Sequence, residues 1–219
     1  MATGTISGDL VAGSGHQADV VSSHAVTTGD LVAIAARCAR GDRTAQRELF
    51  IRTRGSVHRT LYRILGHNHD VEDLLQETYL MVFRGIDRFE GRSSPTTWCC
   101  GIAVHVAYNH LRAAKRRRHE PEVDVVDQGA DVGRLSEQRE AARRLYAALE
   151  QIDPEQRIAF TLVTVDGQPV ASVAEILGVS TGAVKTRVWR ARKHLEKLAR
   201  KDPALADYVR DLCAEEPPA

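Results

Sequence analysis

Residues 170–198 read VASVAEILGVSTGAVKTRVWRARKHLEKL, and this stretch decides the fold. Val170, Val173, Ala174 and Leu177 recur at three- and four-residue steps, the spacing of a short amphipathic helix. Gly178 follows, supplying the positive φ that a tight helix end needs. Ser180 is placed to cap a second helix with an apolar stripe of Val184, Val188, Ala191, Leu195 and Leu198. The other face of that helix carries Lys185, Thr186, Arg187, Trp189, Arg190, Arg192 and Lys193. One buried stripe opposite a face of cations and donors is what reading a DNA major groove requires. Lysine and arginine neutralise phosphates or fork onto guanine, while threonine and tryptophan offer apolar contact to thymine methyls. A helical hairpin with a solvated basic face is the plainer reading. The tight turn, the cap and the amphipathic second helix together favour DNA binding over it.

Upstream, the helical pattern continues. Asp153-Pro154-Glu155-Gln156 combines a cap, a first-turn proline and a capping-box-like glutamine. Asp166-Gly167-Gln168-Pro169 ends that helix, although Ile158–Val165 is rich enough in β-formers to be ambiguous. Ala142, Leu145, Leu149 and Ile152 mark a helix before it, opening near Leu135. Residues 119–136 carry Pro121, two glycines and spaced acids, and read as a flexible acidic linker.

A first unit spans 28–118. Leu31, Ile34, Ala35 and Cys38 share one helical face, and Gly41 stops that helix. Asp42 caps the next, with Ala45, Leu49, Val57, Leu61 and Leu65 inward before Gly66. A third runs from about Asp70 with Val71, Leu74, Leu75, Thr78 and Val82 inward. Gly85–Thr97 reads as a loop containing the Ser94-Pro95 start signal. A long helix then buries Trp98, Ile102, Ala103, Val106 and Leu111 and ends in the basic run Lys115–Arg118. The expected architecture is all-α: two small helical domains, 28–118 and 137–201, joined by the linker 119–136. A disordered tail (1–27) and an acidic C-terminal tail (202–219) flank them.

The net charge of +1 over 219 residues hides blocks: +7 for 30–118, −4 for 119–134 and +6 for 167–201. Two basic blocks flanking an acidic one suggest two surfaces for an anionic polymer. No apolar run approaches the ~18 residues that span a bilayer, so direct membrane insertion is excluded. The first residues lack the basic flank and apolar run of a signal peptide. Cys38, Cys99, Cys100 and Cys213 show no metal-ligand spacing, and the adjacent pair cannot form a relaxed disulfide. The expected compartment is a reducing cytoplasm. His67-Asn68-His69-Asp70 is the one metal-like cluster, and a helix–helix loop explains it. With no nucleophile–base set and no phosphate-cradling glycine loop, the expectation is a non-enzyme without metal or cofactor.

The long helix places His105, Asn109, His110 and Arg112 before Lys115-Arg116-Arg117-Arg118, beside the polar loop Phe89–Ser94. Such an array can hold a single-stranded backbone and pocket an extruded base. In addition, four stretches resemble the extracytoplasmic-function (ECF) sigma factors, promoter-specificity subunits of bacterial RNA polymerase. Gly41-Asp42 with Ala45 is similar to the family's opening signature, and 70–79, DVEDLLQETY, to its D-A-E-D-L-V-Q-E-V-F helix. Trp98 through Ile102-Ala103 to Asn109, Leu111 and Arg112 resembles the W-L-x-x-I-A and D/N-x-L-R helix. Residues 175–192 resemble the helix-turn-helix end. Three departures stand out. Cys99-Cys100-Gly101 replaces Leu-aromatic-Arg, His105 stands where asparagine is frequent, and Ala171-Ser172 replaces an acidic pair.

The resemblance implies that 28–118 is sigma domain two, docking on the β′ clamp helices of core polymerase through Asp73, Gln76 and Glu77. The β subunit is a further contact. Arg92, Ser93, His105, Asn109, Arg112, Lys115, Arg116, Arg117 and Arg118 would then meet and melt the minus-ten element. Sigma domain four, 137–201, would read the minus-thirty-five element with Ser180, Lys185, Thr186, Arg187, Trp189, Arg190, Arg192 and Lys193. An anti-sigma factor is implied as a partner beside core polymerase and promoter DNA. The alternative is a helix-turn-helix regulator that does not bind polymerase as a sigma subunit.

Overall fold

A computed structural model of the chain describes residues 28–66, 70–119, 137–203, 205–206 and 209–210. The tail assigned to 1–27, the linker residues 120–136 and the cluster His67–His69 lie outside them. Every regular element among the described residues is helical: α1 Thr28–Ala39, α2 Arg43–Leu65, α3 Val71–Gly85, α4 Pro95–His119, α5 Glu137–Leu149, α6 Pro154–Phe160, α7 Val170–Leu177 and α8 Thr181–Ala199. No helix among the described residues is long and apolar enough to cross a membrane.

The caps sit where the residue types put them. Asp42 accepts hydrogen bonds from the amides of Thr44 (2.9 Å) and Ala45 (3.1 Å) and starts α2. The Ser94 hydroxyl accepts from the Thr97 amide at 3.0 Å, with Pro95 as the first residue of α4. Asp153 accepts from the Glu155 amide at 3.1 Å, with Pro154 in the first turn of α6. Each satisfies an amide that the first helical turn leaves without a partner.

In the N-terminal lobe α2 packs against α1, α3 and α4. Leu49, Val57, Leu61, Ile64 and Val82 are fully enclosed between them. Cys99 is also fully enclosed, and burial pushes its thiol up to about 12. It is a small core side chain rather than a reactive thiol. In the C-terminal lobe α6 and α8 cross around Phe160, Ile158, Val188 and Leu195. Beyond α8, Leu205 and Val209 are buried, and Arg144 holds Asp202 through two hydrogen bonds of 3.0 and 2.9 Å.

The segment left ambiguous by its β-formers, Ile158–Val165, holds no strand, and Ile158–Phe160 completes α6. Thr161–Val165 continues α6 as a π-helical turn, with the Asp166 amide donating to the Thr161 carbonyl at 2.9 Å. Four of its five residues are β-branched, which crowds the preceding turn and weakens the α register. The hydroxyls of Thr161 and Thr164 are buried there without hydrogen-bond partners.

The two lobes touch: α2 and α4 pack against α6, the π-helical turn and α7.

Candidate nucleic-acid interface

The helix-turn-helix forms as its residues dictate. α7 ends at Gly178 with φ 64°, in the left-handed region, and the Ser180 hydroxyl accepts from the Ala183 amide at 3.2 Å to start α8. Replacing Ser180 with alanine is expected to cost about 1 kcal/mol of stability. That loss is read as a lower urea midpoint at unchanged m-value.

Val184, Val188, Ala191 and Leu195 turn inward, so α8 presents Lys185, Thr186, Trp189, Arg190 and Lys193 to solvent. Trp189 is 59% exposed, a large apolar surface open to solvent. The Thr186 hydroxyl donates back to the Gly182 carbonyl at 2.9 Å, leaving its methyl as the group offered outward. Lys193 pairs with Glu196 at 2.9 Å across one turn. Two residues depart from the expected exposed face. Arg187 is largely withdrawn and bound to Glu155 of α6, which neutralises it, and Arg192 is half-buried. Five side chains therefore form the outward surface of α8 among the seven expected on that face.

On α4, His105, Asn109, Arg112, Arg116 and Arg117 are exposed along the helix. The Arg118 side chain lies outside the described residues. Lys115 is exposed as well but bonds Asp153 of the other lobe at 2.7 Å. Burial works to raise the pKa of Asp153, but the Lys115 ammonium and the Glu155 amide outweigh it and hold it below the carboxylate norm. That contact is complete above the ordinary carboxylate pKa and is lost as pH falls through the lowered value. In the loop before α4, Arg92 pairs with Glu90 at 3.0 Å and Ser93 is half-buried, while Gly91 takes φ 73°. His105 lines a cleft shared with Ser93, Thr97 and, across the lobes, Gln168 and Glu175.

On α3, Asp73, Gln76 and Glu77 are all exposed, opposite the buried Leu74, Leu75 and Thr78. Leu80 (57% exposed) and Met81 (43%) continue this face. Sequence reasoning missed both. Their signal was available: two large apolar residues next to Glu77 that fall outside the inward stripe.

Two helical lobes, one presenting a helix-turn-helix and the other a cation-studded helix, define a DNA-binding protein. The Sigma-70 region 2 family model matches residues 49–117, and the Sigma-70, region 4 model matches 142–195. The chain is 35% identical to the ECF RNA polymerase sigma factor SigX of Bacillus subtilis, over 71% of this chain and 87% of SigX. It is 32% identical to the ECF RNA polymerase sigma factor SigG of Mycobacterium tuberculosis, over 78% of this chain but only about half (51%) of SigG. Among solved structures, the sigma factor RpoE in complex with the anti-sigma factor NepR from Bartonella quintana has a similar fold. It superposes with a TM-score of 0.51 at 24% identity, over 71% of this chain and 97% of that one. This chain belongs to the ECF RNA polymerase sigma factor family. It is a non-enzymatic factor that directs RNA polymerase to promoters. A plain helix-turn-helix regulator leaves the region 2 match unexplained.

Proposed function

We propose that the residues 28–118 carry polymerase docking and minus-ten melting, and that 137–201 carry minus-thirty-five reading. The observation that carries the docking assignment is the α3 surface, where Asp73, Gln76 and Glu77 stand beside exposed Leu80 and Met81. Carboxylates around an apolar centre suit a basic, partly apolar helical partner, here the β′ clamp helices of core polymerase. The β subunit is the second core contact in this reading. On α8, Lys185, Thr186, Trp189 and Arg190 meet bases, Lys193 and Arg192 meet phosphate, and Ser180 sets the helix start. Arg187 joins them only by leaving Glu155. An anti-sigma factor, of the kind bound to the RpoE neighbour, is the proposed regulatory partner.

For melting, His105 and Asn109 stand one helical turn apart and exposed, with Arg92 and Ser93 in the loop before α4. Arg112, Lys115, Arg116, Arg117 and Arg118 hold the displaced strand electrostatically. Flipping a base costs a few kcal/mol of stacking, which the pocket must return. His105→Ala and Asn109→Ala are each expected to reduce permanganate reactivity of the opened minus-ten element several-fold, with core binding intact. Normal opening in both variants would leave strand capture to the basic residues alone.

A further inference from the structure

Helix α4 carries its lysines and arginines on one side of His105 only. Arg112, Lys115, Arg116 and Arg117 follow it, whereas residues 95–104, PTTWCCGIAV, contain no lysine, arginine or histidine. Arg92 in the preceding loop is paired with Glu90 at 3.0 Å. A cation does reach this end of the cleft, from the neighbouring helix α2. Arg52, Arg59 and Arg63 recur at seven- and four-residue steps and so share one side of α2. Arg52 is bound to Glu48 and Arg63 to Asp166. Arg59 is exposed and has no carboxylate partner among the described residues. It lines the same cleft as His105, together with Ser56 and Thr60 of α2 and Thr97 and Gly101 of α4. Burial raises the pKa of the Cys100 thiol, and the Thr60 hydroxyl and the Arg59 guanidinium work against that rise, which sets the guanidinium near the residue before Gly101. Gly101 stands where the family pattern carries an arginine, and a Cβ there would meet nothing within 4 Å.

We infer that Arg59 binds a phosphate of the displaced strand on the side of His105 that α4 leaves uncharged, so that the strand-binding surface extends from α4 onto α2. This rests on the proposed melting role of His105 and Asn109. Extruding a base swings it about its own backbone, so the phosphates on both sides of it need to be held. The basic residues after Asn109 hold one side. Arg59 holds the other at the level of Gly101, one turn of α4 before His105. A guanidinium is always charged and forks onto phosphate oxygens, and such a contact carries no base preference of its own. Arg59 and His105 are both exposed with the two lobes in place, so a strand reaches them from solvent. The cation that α4 lacks at Gly101 is thereby supplied from α2.

The test is binding of the holoenzyme, core polymerase with this protein, to a labelled single strand. The strand spans the non-template minus-ten element of a promoter mapped from transcript 5′ ends, and affinity is measured from about 0.1 to about 1 M salt. One phosphate contact on a single strand contributes about 0.7 to the slope of log K against log salt. Arg59→Ala is therefore expected to flatten the slope by about 0.7, binding about fivefold less tightly at about 0.1 M salt and equally at about 1 M. Adding Gly101→Arg to Arg59→Ala should restore slope and affinity, because the cation returns to the cleft from α4. An unchanged slope in Arg59→Ala overturns the inference, and so does a weakening equal at every salt concentration, the mark of a merely structural loss. So does a flattened slope that Gly101→Arg fails to restore, since the cation would then act away from the cleft. His105→Ala and Asn109→Ala, measured alongside, read the melting role separately. Weaker strand binding in these two with none in Arg59→Ala leaves the melting role standing without Arg59. A flattened slope in Arg59→Ala with normal binding in these two removes the melting role and keeps the phosphate site on α2.

Discussion

Changing Asp73 and Glu77 together to lysine is expected to weaken binding to core RNA polymerase by at least about 100-fold. Both side chains are exposed on α3, so the reversal leaves the Leu74, Leu75 and Val82 packing beneath untouched. Each change removes an attraction and adds a repulsion against a basic partner. Truncating one member of a desolvated interfacial charge pair already costs about 2–5 kcal/mol. The measurement is fluorescence polarisation of labelled protein titrated with core enzyme, beside thermal melts that report folding. Binding of the same variant to promoter duplex through α8 should persist. Retained core affinity would move the docking surface elsewhere, and Leu80→Ser then asks whether the neighbouring apolar residues carry it alone.

Replacing Arg190 with alanine is expected to cost about 1–3 kcal/mol of specific binding, roughly 5- to 150-fold, and to relax preference at one base pair. Arg190 is exposed on α8 beside Trp189 and one turn from Thr186, a cluster that can reach base edges together. Lys193→Ala should instead weaken all sequences alike and flatten the salt dependence by about one unit, since phosphate contacts carry no sequence information. Competition binding on a set of single-base promoter variants separates the two patterns. Identical selectivity in the Arg190 variant would show that another part of α8 faces the bases.

Much of the fold was legible because short-range chemistry dictates it. Asp42, Ser94, Asp153 and Ser180 each precede a helix, and all four caps form through the amides that spacing places in reach. Gly178 takes the left-handed conformation that its place between two helices demands. The run Thr161–Val165 was harder, because β-branched residues oppose an α register without saying what replaces it. Arg187 was read as outward-facing from helical period alone. Its capture by Glu155 depends on where α6 packs, which no local pattern encodes. The end of α2 is the extreme case, where the Tyr146 hydroxyl donates to the Arg63 carbonyl and Arg157 Nε to the Ile64 carbonyl. In sequence, Arg157 looks like an ordinary polar residue of a first helical turn and Tyr146 like a helix-surface aromatic. Only the approach of two lobes reveals a buried cation on a helix end. Leu80 and Met81 differ again: the sequence places them off the stripe, but exposure shows that nothing in their own lobe covers them.

The central claim is that this chain directs RNA polymerase to promoters, and transcription by purified core enzyme on genomic DNA tests it most directly. Sequencing the 5′ ends of the transcripts should reveal start sites that require the protein and share two upstream motifs. Those starts should vanish with the Asp73/Glu77 reversal and shift in strength with Arg190→Ala. A transcript profile identical with and without the protein, from core enzyme shown to be active with another sigma factor, would contradict the account.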